Sequence, residues 1–159
     1  SSTSRGLGDV YKRQRLDTAT YLFNEIKEEL VDIILNSELD VIKATYNINK
    51  LFKMENNFPI FMALIDIAWF RNDVMPITSA VPTGIGAQPY LDRLEEYLGL
   101  NNHQEVATKM ISLQKEYWPN AKREFYPIDI EYQSCECRKY FSYLNGTKKF
   151  EGKNLLIIN

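Results

Sequence analysis

Apolar side chains recur at helical spacing along most of this chain, and the pattern changes near residue 120. Between Asp17 and Asn36 the residues Leu22, Ile26, Leu30 and Ile33 fall four, four and three apart, with Glu25, Glu28, Glu29 and Asp32 between them. This is the stripe of an amphipathic helix. Ser37 and Asp40 resemble a capping pair, the Ser hydroxyl serving an early backbone N–H, so a second helix is expected to about Met54. The short connection predicts an antiparallel pair. Pro59 suits the first turn of a third helix, where its missing N–H costs nothing. Ile60 to Phe70 is apolar on nearly every side, which predicts the central core helix.

From Arg71 to Gln88 the periodicity collapses, and Pro76, Pro82, Gly84 and Gly86 block a long regular element. Pro89 reopens a helix with Leu91, Leu94 and Leu98 on one face, ended by Gly99. Asn102 and Glu105 form another capping pair ahead of a stripe of Val106, Met110, Leu113 and Tyr117, which Pro119 stops. Beyond it, Ile128, Ile130 and Tyr132 alternate with Asp129, Glu131 and Gln133, the period of a half-buried strand. Tyr140–Leu144, Asn145-Gly146 and Thr147–Phe150 have the form of a hairpin with a type I′ turn, and Leu155–Ile158 of one more strand. The expected fold is therefore α+β, with about five helices over residues 17–118 and a small C-terminal antiparallel β-sheet.

Composition adds bounds. With 159 residues, 45% hydrophobic and 25% charged, the chain is sized and composed for one globular domain. Ser1–Gln14 (SSTSRGLGDVYKRQ) resembles the translated adapter sequence that borders metagenomic gene models and is set apart from the fold. The domain is then residues 15–159, expected to be truncated at its N-terminus. No internal repeat or sustained heptad divides it. The longest apolar run, Pro59 to Phe70, has 12 residues and contains Asp66, against the roughly 20 of a membrane span. Only Cys135 and Cys137 are present, which fits a reducing, cytoplasmic setting better than a disulfide framework.

The candidate chemistry is sparse. A single histidine, His103, excludes paired-His zinc sites and is read as a solvated first-turn residue. Cys135 and Cys137 are too few for a closed zinc site, so no metal and no cofactor are expected. Asp66, inside the apolar third helix, with Arg71 and Asp73 beyond it, is the candidate catalytic set, an acid lining a cleft with Asp73, or else a structural ion pair or a boundary position facing solvent. Thr83, Gly84 and Gly86 lead into a helix N-terminus and are the candidates for holding phosphate or another anion. Residues 120–159 carry seven basic and five acidic side chains, whereas residues 15–70 are net acidic. Within that polarised tail Arg138, Lys139, Tyr140, Lys148 and Lys149 are the candidates for contact with nucleic acid or a protein partner. The first reading is a noncatalytic binding or assembly module with a protein partner, nucleic acid second and no membrane. The alternative is an enzyme fragment with a cleft bordered by the 71–88 loop.

Overall fold

The computed structural model describes residues 3–148, with side chains from residue 16 onward except at positions 18, 19 and 22. The elements are α1 (Thr3–Leu35), α2 (Val41–Phe52), α3 (Phe58–Phe70), α4 (Gln88–Leu98), α5 (His103–Ser112), α6 (Gln114–Tyr117) and α7 (Pro127–Leu144). Among the described residues every regular element is a helix. None is long and apolar enough to cross a membrane.

The local signals explain most boundaries. Asp40 caps α2, its carboxylate accepting from the Lys43 N–H at 3.0 Å. Ser37 has a different job from the cap expected of it, donating to the Ile34 carbonyl at 2.6 Å to close α1. Gly99 ends α4 at φ 64°, and Asn102 caps α5 through the Glu105 N–H. A break at Leu113 splits the expected fifth helix, so six helices precede residue 120.

Two apolar clusters form the interior. The larger joins Val41, Ala44 and Ile48 of α2 to Phe61, Leu64, Ile65 and Ala68 of α3, with Leu30, Ile33 and Ile34 of α1 against it. The irregular stretch after α3 contributes Met75, Ile77 and Val81 as anchors. The smaller cluster joins Leu91 of α4, Val106 and Ala107 of α5 and Ile130 of α7.

The expected C-terminal sheet is overturned: α7 occupies residues 127–144. Successive residues in a helix turn by about 100°, so i and i+2 lie on nearly opposite sides. Ile128 enters the larger cluster and Ile130 the smaller, because α7 lies between the two. A helix sandwiched in this way shows the alternation of a strand. Asn145-Gly146 ends α7 instead of turning a hairpin: Gly146 takes φ 74° and donates to the Tyr143 carbonyl at 3.1 Å. A positive backbone angle suits a helix end as well as a type I′ turn. The expected strand at Leu155–Ile158 and the second half of Thr147–Phe150 lie outside the described residues.

Arg123 fastens the start of α7. Its guanidinium makes two 2.7 Å bonds to Asp129 and lies over the rings of Trp69 and Tyr126, at 5.4 and 5.1 Å from their centroids. Burial pushes the Asp129 carboxyl up, but the bonds from Arg123 and the Tyr126 N–H outweigh it and hold the group below its ordinary range.

α1 is unlike the other helices. Its 33 residues extend about 50 Å, yet among its described side chains only Leu30, Ile33 and Ile34 pack against the core. Leu16, Ala19, Phe23, Ile26, Leu30 and Ile33 are spaced alternately three and four apart, the spacing of a helix-pairing seam. The domain covers its C-terminal end and leaves Leu16 and Phe23 exposed.

Candidate functional site

The loop from Val81 to Ala87 crosses α7 and brings together the most unusual polar groups of the molecule. Gly84 lies so close to α7 that a Cβ there would stand 2.7 Å from Glu131 Oε1, and one on Gly86 would stand 2.6 Å from Cys135 Sγ. Glu131 and Cys135 are one helical turn apart, so the two glycines are the contacts of a backbone pressed against one stripe of α7. The Gly84 N–H donates to Glu131 Oε1 at 3.2 Å. Glu131 is only 4% exposed, and burial pushes its carboxyl above its ordinary value against the opposing pull of that N–H.

Beside this contact, Thr83 Oγ1 lies 2.9 Å from His103 Nδ1, and His103 Nε2 lies 2.9 Å from Asp92 Oδ1 and 3.5 Å from Glu95 Oε2. With the proton on Nε2, the imidazole donates to Asp92 and accepts the Thr83 hydroxyl proton. The sequence reading of His103 as a solvated residue is thus corrected: its ring links the loop to α4. Gln104 adds a second tie, donating to the Val81 carbonyl at 2.8 Å. The space enclosed by Thr83, His103 and Glu131 is about 10 Å³, no more than one water occupies. On the other side of the loop, a cleft of about 290 Å³ is walled by Thr83–Gly86 and by Asn56, Asn57 and Phe58.

The catalytic candidates from the sequence do not converge here. Asp66 is exposed on α3, where with Glu131 and Asp129 it adds to the burial that raises the Tyr132 phenol. Arg71 and Asp73 grip each other at 2.9 and 2.8 Å on the surface. That mutual bond raises the guanidinium and lowers the carboxyl. None of the three lines the 290 Å³ cleft. Of the anion candidates, Thr83 is bonded to His103, Gly84 donates to Glu131, and Gly86 packs on Cys135. An anion beside Gly84 meets the like charge of an ionised Glu131.

The basic and aromatic candidates lie on α7 and just after it rather than on a sheet. Lys139 turns to Glu136, with 2.5 Å between them. Tyr140 is exposed and meets Phe141 edge-on. Lys148 follows the helix, and Lys149 lies outside the described residues. Arg138 turns the other way, into a cavity of about 310 Å³ between α4 and α7, lined also by Tyr90, Arg93, Phe141 and Ser142. Tyr90 and Phe141 stack there, centroids 5.9 Å apart. Sequence reasoning missed Arg93, Asp92, Glu95 and Glu131 because each acquires its role from helices packing across the chain. The three-residue spacing of Tyr90 and Arg93 on a helix starting at Pro89 is the one signal that was present. Compared with known proteins, the chain matches no family model, no curated protein and no solved structure.

Proposed function

We propose that this chain is a noncatalytic assembly module that pairs with a second copy of itself along the uncovered half of the α1 seam. The observation that carries this is the exposure of Leu16 and Phe23, 66% and 57%, in register with Leu30, which the core covers. Burying a side chain of either type contributes about 1.5–3 kcal/mol. A seam with alternating three- and four-residue steps is complementary to its own copy under a two-fold axis. The dispersal of Asp66, Arg71 and Asp73 supports the noncatalytic half of the reading. Two free cysteines suit a reducing, cytoplasmic setting.

Sedimentation of the chain across the micromolar range tests the proposal. The expected result is a dimer that Leu16→Glu or Phe23→Glu weakens at least about tenfold, or 1.4 kcal/mol. A chain that stays monomeric throughout refutes it.

The second reading, an enzyme fragment with a cleft bordered by the 71–88 loop, is favoured by one observation, the Thr83–His103–Asp92 chain, of which Thr83 lines the cleft. It requires esterase turnover of an activated acyl ester that Thr83→Val abolishes. Equal turnover by variant and wild type removes it.

A further inference from the structure

The described walls of the cavity between α4 and α7 carry positive charge that no described acid at the cavity offsets. Two arginines face it, Arg93 from α4 and Arg138 from α7, and no acidic side chain is among its walls in the described residues. Arg138 reaches beneath the 84–86 loop, its Nη2 4.0 Å from the place of a Cβ on Gly86. Its Nε is shut off from water and has no hydrogen-bond partner among the described residues. A guanidinium partly withdrawn from water is costly, and an oxyanion against the part of Arg138 that lines the cavity offsets the cost of its charge. Arg93 is exposed and makes no ion pair among the described residues, so its guanidinium is available at the rim.

The C-terminal end of α7 also borders this cavity, and free carbonyls there repel an anion. The turn after the helix spends them. The Phe141 carbonyl accepts from the Asn145 N–H, the Tyr143 carbonyl from the Gly146 N–H, and the Ser142 carbonyl from the Lys148 N–H and the Thr147 hydroxyl. α4 contributes Pro89 and Tyr90 to the same space, but Pro89 has no N–H and the Tyr90 N–H donates to the Ala87 carbonyl at 3.0 Å, so it is side chains that face the anion there.

We propose that this cavity binds the phosphoryl dianion of a small phosphomonoester, held by Arg138 at its floor and Arg93 at its rim. Two guanidiniums match two negative charges, and the planar fork of arginine matches the paired oxygens of a phosphoryl group. The stacked Tyr90 and Phe141 wall gives the organic part of the ester an apolar surface. About 310 Å³ is the lower end of the size range of small-ligand sites, which favours a compact ester over a polymer.

Isothermal titration calorimetry on the full chain provides the test, with phenyl phosphate, inorganic phosphate and a single-stranded oligonucleotide without terminal phosphates as the three probes. Phenyl phosphate is expected to bind more tightly than inorganic phosphate, and its affinity to fall as pH drops through about 6, where the dianion gains a proton. Arg138→Gln is expected to lose at least about tenfold, and Arg93→Gln, an exposed position whose variant keeps the fold, severalfold. Should Arg138→Gln unfold, the Arg93 variant and the pH profile decide. Equal affinity for the two phosphate probes overturns the ester assignment. Absence of binding by both, or binding indifferent to Arg93 and pH, overturns the site. Oligonucleotide binding without either phosphate probe does the same and moves the charge to a nucleic-acid surface.

Discussion

Gly86→Ala isolates the contact that presses the 81–87 loop onto α7. The added Cβ would stand 2.6 Å from Cys135 Sγ and 3.7 Å from Cys135 Cβ. Gly86 has no left-handed backbone, so alanine meets no conformational penalty there, and its smaller unfolded-state entropy favours folding by about 0.4–1 kcal/mol. Against that gain stands overpacking, typically about 1–3 kcal/mol when a methyl is forced into a filled site. The thiol sits on the rigid interior of α7, within reach of the smaller core cluster, and has little freedom to swing away. Overpacking should win, with a net loss of about 0.5–2 kcal/mol. Replacing the neighbour removes the clash and keeps the entropy gain, so in a Cys135→Ala background Gly86→Ala is expected to be neutral or slightly stabilising. Denaturant melts of the two single variants and the double variant give the coupling directly. If Gly86→Ala has the same effect in both backgrounds, the loop does not rest on Cys135, and the account of both glycines as close-packing residues fails with it.

Leu64→Ala, at a site only 2% exposed between α2 and α3, is expected to cost about 2–5 kcal/mol in urea melts. A change below about 0.5 kcal/mol would remove α3 from the core. Glu131→Gln keeps an oxygen for the Gly84 N–H and removes the buried charge. Because folding raises the Glu131 pKa above its ordinary 4.5, wild-type stability from this group is present below that value and lost as pH climbs through the folded one. The stability advantage of the Gln variant should therefore grow from acidic to neutral pH, and a pH-independent difference between the two melts would contradict the burial argument. Deleting residues 1–14 should leave the thermal midpoint unchanged, since among the described side chains of α1 the core contacts come from Leu30, Ile33 and Ile34; a large drop would show that the segment belongs to the fold.

How far the sequence speaks depends on whether a signal is local. Gly99 and Asn102 act on backbone groups within a few residues, and the helix ends they mark are where the pattern predicts them, whereas α2 is capped by Asp40 and not by the expected Ser37. Ser37 shows the limit of this logic, because a hydroxyl between two helices can serve either one. Glu131 illustrates the opposite case. Its partner Gly84 is 47 positions away, and neither a solvated acid nor a buried one changes the pattern around it. The catalytic candidates failed to converge for a local reason: Arg71 and Asp73 satisfy each other two residues apart, so nothing draws them toward the cleft.

α7 carries the largest misreading, and the reason is geometric. Alternation identifies a strand only when one side of the element is buried. α7 is buried on two sides, and its period-two signal is the sum of two helical stripes. Ile128, Glu131 and Ser134 form one of them, spaced three apart, while Ile130 starts the other. Within the same stretch a different signal was legible: Pro127 at the first helical position and Asp129 two residues on, its carboxylate accepting the Tyr126 N–H at 2.8 Å. A proline that opens a helix outweighs a period that two environments can imitate, since the ring constrains the backbone itself and the period only reports what surrounds it. The consequence reaches the candidate sites. Had residues 128–144 been strands, Arg138 and Tyr140 would share a face. On a helix they diverge, and Arg138 alone turns toward Arg93, so the cavity that holds the two arginines exists only because this segment is helical.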